Sequence, residues 1–178
     1  KLNRPTEPLP FVEFVILMAL MVSLVAMSTD IMLPSLKIIG IDLYVVDISN
    51  TQHIVIVLFL GFGVGQILAG PLSDSYGRKP IIYLGFCIFI SGCILSMLAN
   101  EFNVMLAGRA LQGLGAAGPR VISVAMVRDG YSGRVMARVM SFIMTVFILV
   151  PVLAPFIGQG ILMLTGWRGL FALLLIKA

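Results

Sequence analysis

The sequence predicts an all-α, polytopic membrane protein, and three observations carry that prediction. Hydrophobic residues make up 60% of the chain against 11% charged, with a mean hydropathy of +1.09, far too apolar for a soluble domain of ordinary composition. The apolar residues come in runs that match the ~20 residues a helix needs to cross a bilayer. Lysine and arginine fall at the ends of these runs, as membrane topology requires, and not over one polar surface as nucleic-acid binding would require. The net charge of +4 therefore speaks for a lipid bilayer as partner and against nucleic acid.

Taken in order, residues 1–10 form a polar, proline-rich tail. The apolar run behind it has no small-residue cleavage site, so it reads as a retained first span. A start at Lys1 and an end at Ala178 inside an apolar run suggest a piece of a longer chain. The first helix covers about 11–36 and is interrupted by Ser28, Thr29 and Asp30. Pro34 lacks the N–H that would bond the carbonyl of residue 30, so a disturbance is expected at Asp30 itself. The second helix, about 52–72, has a bare flank of Gly61, Gly63, Gly65 and Gly70 that allows close approach of a neighbouring backbone.

The third helix, about 80–98, has few polar groups and is expected at the lipid-facing periphery. Its Cys87 and Cys93 lie on different faces and read as free thiols with a packing role. The fourth, about 104–127, mixes Arg109, Gln112 and Arg120 with Gly108, Gly113, Gly115 and Gly118, a composition that belongs inside a bundle. The fifth, about 139–164, carries Pro151, Pro155, Gly158 and Gly160, which should bend or locally unwind it. Trp167 and Arg168 mark an interface, and 167–178 begins a sixth helix too short to span.

Orientation follows from the cations. Lys1, Arg4, Arg78, Lys79, Arg128, Arg134 and Arg138 fall on one side against Lys37 and Arg168 on the other, which makes the first side, with the N-terminus, cytoplasmic. Lys177 fits this scheme poorly, since it would lie about 15 Å into the membrane.

Two intramembrane charges then stand out. Asp30, before the outer end of the first helix, and Arg109, after the outer start of the fourth, should both lie roughly 6 to 10 Å below the outer surface. Charges at that depth usually face a wet cavity and mark a substrate or ion path, so Asp30, Arg109 and Gln112 are the candidates for proton and substrate coupling. For Arg109 a second reading stands beside this one, as a hydrogen-bond hub for backbone carbonyls. Arg120 returns to nearly the same helical face after eleven residues. It either extends a polar stripe with Gln112 or snorkels to the interface behind Pro119. With Arg120, the candidate cavity residues are Met32, Phe147 and Gln159.

No nucleophile–base arrangement, metal-ligand cluster or phosphate loop is visible, and His53, the one histidine, sits near a helix end. An enzyme is therefore not expected, nor any cofactor, and the substrate or ion path marked by the buried charges implies a small molecule as the other partner.

Three stretches carry a family resemblance. Gly70-Pro-Leu-Ser-Asp-Ser-Tyr-Gly-Arg-Lys-Pro resembles the loop between helices 2 and 3 of the major facilitator superfamily, matching at Gly70, Asp74, Gly77, Arg78 and Lys79, with Ser75 where arginine is frequent. Ala107-Gly-Arg-Ala-Leu-Gln-Gly-Leu-Gly resembles its helix-4 motif, and Asp129 the acidic residue that contacts the helix 2–3 loop. The resemblance implies a cytoplasmic gating cluster of Asp74, Arg78 and Asp129. Pro151-Val-Leu-Ala-Pro-Phe-Ile-Gly-Gln-Gly resembles the helix-5 signature of proton-linked efflux members, with Pro151, Pro155 and Gly158 as its hinge. Together with Thr29-Asp30-Ile-Met-Leu-Pro it looks like the Bcr/CflA drug-efflux group.

The implied fold is the N-terminal six-helix half of a major facilitator transporter, lacking the C-terminal six-helix half. The implied activity is proton-coupled export of small hydrophobic or amphipathic drugs by alternating access across the bacterial inner membrane. An uptake symporter or organic-anion carrier on the same scaffold, and a non-transporting membrane receptor or subunit, are the alternatives.

Overall fold

The computed structural model describes residues 11–45 and 47–177, with the backbone alone at residue 48; the expectations for the tail 1–10, Lys1 and Arg4 included, lie outside them. The described chain is helical, with no strand. Its first span is built in pieces: α1 (Phe11–Val22), α2 (Leu24–Asp30), a 3-10 turn (Leu33–Ser35) and α3 (Leu36–Asp42). Helical hydrogen bonding stops at Asp30, where Pro34 withholds its N–H. The span nevertheless resumes and continues to Asp42, six residues past the expected end at 36. A 3-10 turn, Ile48–Gln52, is capped by Asp47, whose carboxylate accepts the Ser49 N–H at 3.0 Å. Then follow α4 (His53–Tyr76), α5 (Arg78–Met97), α6 (Phe102–Gly130) and α7 (Gly133–Lys177).

The charged island between the second and third expected helices is not a loop. Helix α4 runs to Tyr76 and α5 starts at Arg78, so the whole reversal is made at Gly77, whose φ of 91° is open to glycine and costly for other residues. Pro71 sits inside α4 without ending it. The same holds in α7, where the unwinding expected at Pro151 and Pro155 does not occur. A proline φ is compatible with a helix, and each ring removes only one bond. The break falls at Gly166 instead (φ 73°, ψ −175°), dividing the 45-residue α7 into a long membrane-crossing piece and the short helix 167–177.

Helix α6 is the centre of the bundle, flanked by α4 and α5 at backbone distance. A Cβ added to Gly85 would lie 2.7 Å from the Gly115 carbonyl oxygen, and one on Gly92 would lie 2.6 Å from the Gln112 nitrogen. On the α4 side, Gly61 abuts the Ala110 backbone and Gly65 the Leu114 carbonyl, whereas Gly63 and Gly70 face open space. Only the glycines spaced by four serve the contact, as one helix face demands. The first span and α7 close the bundle, with Ile31, Ile54, Leu58, Phe89 and Phe171 in one buried cluster. Near the Gly130 end of α6, Val15, Met18 and Val22 of α1 meet Val127, Val139 and Ile143 in another.

Large apolar residues such as Leu60, Ile67, Phe156 and Leu164 point outward. On helices long and apolar enough to cross a membrane, that surface is the one a lipid would cover. The molecule is an integral, multi-pass membrane protein.

Candidate functional site

The break in the first span sets the site. Ser28 and Thr29 turn their hydroxyls back onto the Leu24 and Val25 carbonyls, at 2.7 and 3.0 Å. The Met32 N–H then bonds the Thr29 carbonyl at 3.2 Å in a tightened turn, which leaves the Ser28 carbonyl to another donor. That donor is Arg109 of α6, whose Nη2 reaches it at 3.0 Å. Its Nη1 donates to Gln112 Oε1 at 2.7 Å and its Nε to the Ile54 carbonyl at 3.4 Å. Gln112 passes the chain on, donating from Nε2 to Cys93 Sγ at 2.9 Å. Both Arg109 and Gln112 are fully buried, and the Phe171 ring centre lies 6.0 Å from the guanidinium carbon.

A buried cation with no carboxylate beside it survives only if oriented dipoles replace its hydration. Here two backbone carbonyls and an amide oxygen do so. The arginine thereby ties together the first span, α4 and, through Gln112, α5. On the other side of the break, Gly158 of α7 stands against the Ile31 carbonyl, and a Cβ there would lie 3.0 Å from Ile31 Cγ1. The interrupted turn is thus gripped between an arginine and a glycine.

The expected Asp30–Arg109 ion pair is not formed. Asp30 is half-buried, and the ion pairs among the described residues do not include it. Residues two apart on a helix face away from each other, and Arg109 meets the chain at Ser28. Asp30 therefore adjoins the gripped turn without bonding its cation.

The other candidates fall as follows. Arg78 Nη2 lies 3.0 Å from Asp129 Oδ2 and 3.8 Å from Asp74 Oδ1, while its Nη1 donates to Ser73 Oγ at 3.3 Å. The structure thus brings together Asp74, Arg78 and Asp129. Lys79 is exposed and unpaired among the described residues, and Gly70 faces open space. Arg120 and Phe147 meet: the guanidinium carbon is 5.0 Å from the Phe147 ring centre and 5.4 Å from that of Phe62. Arg120 lines an open cavity of 440 Å³ with Gln66, Arg128 and Asp129. Gln112 is buried apart from that cavity, so no single polar stripe joins it to Arg120. Met32 is fully buried in the core and is no cavity wall, and Gln159 is exposed on α7. Pro151 is exposed and Pro155 half-buried, both on unbroken helix.

Three polar contacts escaped the sequence reading. At the end opposite Gly77, Asp42 Oδ2 accepts from Trp167 Nε1 at 2.9 Å and from Arg168 Nη1 at 3.1 Å. Arg168 also donates to the Ala99 carbonyl at 3.2 Å and lies 4.1 Å over the Trp167 ring. A Trp-Arg pair just after a glycine at a span end was the available signal for this latch. Lys177, which the topology could not place, donates to Ser23 Oγ at 3.2 Å where α1 gives way to α2. Cys93, taken as packing only, is a hydrogen-bond acceptor.

Membrane-crossing helices around a buried, dipole-solvated arginine define a polytopic membrane protein organised on one internal polar hub. Residues 11–176 match the family model described as Major Facilitator Superfamily, and the chain belongs to that family of transporters. It is similar to the "Multidrug resistance protein MdtL" of Salmonella paratyphi C (strain RKS4594), 34% identical over 143 residues that cover 74% of this chain and 36% of that protein. It is also similar to the "Multidrug resistance protein D" of Escherichia coli (strain K12), 28% identical over 165 residues that cover 93% of this chain and 42% of that protein. The chain thus spans about two fifths of the length of these relatives.

Proposed function

We propose that the chain supplies the N-terminal six-helix half of a proton-coupled drug exporter, working by alternating access in a bacterial inner membrane with its Arg78–Asp129 end in the cytoplasm. The relatives named for multidrug resistance support export of small hydrophobic or amphipathic drugs. One observation supports the coupling site: the only carboxylate at the broken turn, Asp30, is half-buried and unpaired among the described residues beside a backbone held by Arg109 on one side and Gly158 on the other.

An unpaired intramembrane carboxylate is expensive as an anion and cheap as an acid. Proton binding at Asp30 therefore favours whichever conformation offers it the less hydrated setting. The turn it belongs to bonds α6 through the Ser28 carbonyl, so the preference reaches the bundle through backbone and not through a direct ion pair. The test is drug-induced proton release from acidified inverted vesicles holding the full-length protein. Asp30→Asn is expected to abolish it while leaving a monodisperse, folded protein. Wild-type proton release from that variant would remove Asp30 from the mechanism.

A further inference from the structure

Arg120 is a cation held in place without an oxygen. Arg78, Arg109 and Arg168 each donate to oxygen acceptors. Arg120 has no hydrogen bond or ion pair among the described residues and is instead gripped between the rings of Phe62 on α4 and Phe147 on α7. Ring faces hold a guanidinium through its charge and its flat surface, which leaves its N–H groups without acceptors. A side chain merely snorkelling to the interface would have no need of two aromatic walls at 5.4 and 5.0 Å.

The cavity beside it is biased toward one sign of charge. Its charged lining is Arg120, Arg128 and Asp129. The carboxylate of Asp129 is already engaged by Arg78 at 3.0 Å, so the wall presents more positive than negative charge. At 440 Å³ the space falls within the roughly 300–1,000 Å³ of small-molecule sites.

We propose that Arg120 is the contact for an anionic group on the transported molecule. The preferred substrates are then apolar or aromatic compounds bearing a carboxylate or similar oxyanion, and not the lipophilic cations. The guanidinium fork donates to a planar oxyanion in two-point fashion, and the apolar body lies along the neighbouring Val121, Val124 and Ala125. This inference deepens the transport reading above and rests on it for the fate of the bound compound.

Fluorescein and rhodamine 6G share a xanthene nucleus and differ in the sign of their charge, so together they isolate the contribution of Arg120. Their binding to the full-length purified protein is measured by fluorescence anisotropy, and their pH-gradient-driven flux in inverted vesicles. Wild type is expected to favour fluorescein by about tenfold, the ratio that one charge-assisted contact supplies. Arg120→Met is expected to erase that preference, and Arg120→Lys to keep most of it. Equal or stronger binding of rhodamine 6G to wild type overturns the proposal, as does an equal loss of both dyes in Arg120→Met. Should Arg120→Met not fold, the wild-type ratio and Arg120→Lys still decide. Selective fluorescein binding without gradient-driven flux of either dye would uphold the site and sink the exporter reading; flux of rhodamine 6G alone would do the reverse.

Discussion

Arg109 and Arg120 share one helix and, eleven residues apart, nearly one face, yet they live in opposite surroundings. Arg109 is fully buried and donates to three oxygen acceptors. Arg120 is half-buried between two rings beside an open cavity. The neighbours make the difference. At the level of Arg109 the first span is interrupted and releases a carbonyl, whereas at the level of Arg120 only aromatic faces come within reach. An arginine inside a membrane bundle is thus structural or available according to whether an adjacent backbone is broken.

The comparison is broken most directly at Arg109. Arg109→Leu strands the Ser28 carbonyl and the Gln112 oxygen and removes a second donor from the Ile54 carbonyl. With ~1–3 kcal/mol lost for each buried group left unsatisfied, the full-length variant is expected to lose most of its folded population in detergent. A thermal midpoint within a degree or two of wild type would refute the hub.

The next effect separates the two levels by packing. A Cβ on Gly113 would run into the Leu58 backbone, with the Phe62 nitrogen at 2.8 Å, whereas one on Gly118 would meet the Ile81 carbonyl at 3.1 Å. Gly113→Ala is therefore expected to destabilise by about 1–3 kcal/mol, the cost of overpacking a tight core. Gly118→Ala should cost less than about 1 kcal/mol, since a few tenths of an ångström of adjustment relieve the contact. Equal melting of the two variants would show that α4 does not clamp the upper half of α6 more tightly than α5 clamps the lower.

The smallest stability effect belongs to Arg120. Arg120→Met keeps a long apolar stem and loses two ring contacts, for a change of about 1 kcal/mol or less at a site this open. A loss as large as that of Arg109→Leu, read in the same thermal assay, would make Arg120 a second hub.

Much of this was written in residue types and spacing. The run lengths announced the membrane helices, the glycines of α6 its central position, and Pro34 the interruption at Asp30. What stayed hidden depends on partners without a letter of their own. Arg109 binds backbone carbonyls, so reading the sequence for a carboxylate led to Asp30 when the acceptor was the Ser28 peptide. The Asp42–Trp167 bond joins residues 125 apart, and nothing local to either one announces the other. The prolines of α7 announced a bend or a local unwinding, and the helix stays wound through both of them while its φ/ψ break falls at Gly166.

The single-residue reversal at Gly77 leaves no spare chain between α4 and α5, and both are seated on α6 by peptide-to-peptide contact. Sliding any one of the three would mean unseating the other two, so they travel as a rigid block. The jointed opening span is fastened to that block at its broken turn, by the bond from Arg109 to the Ser28 carbonyl, and to the long proline-bearing helix where Gly158 meets Ile31.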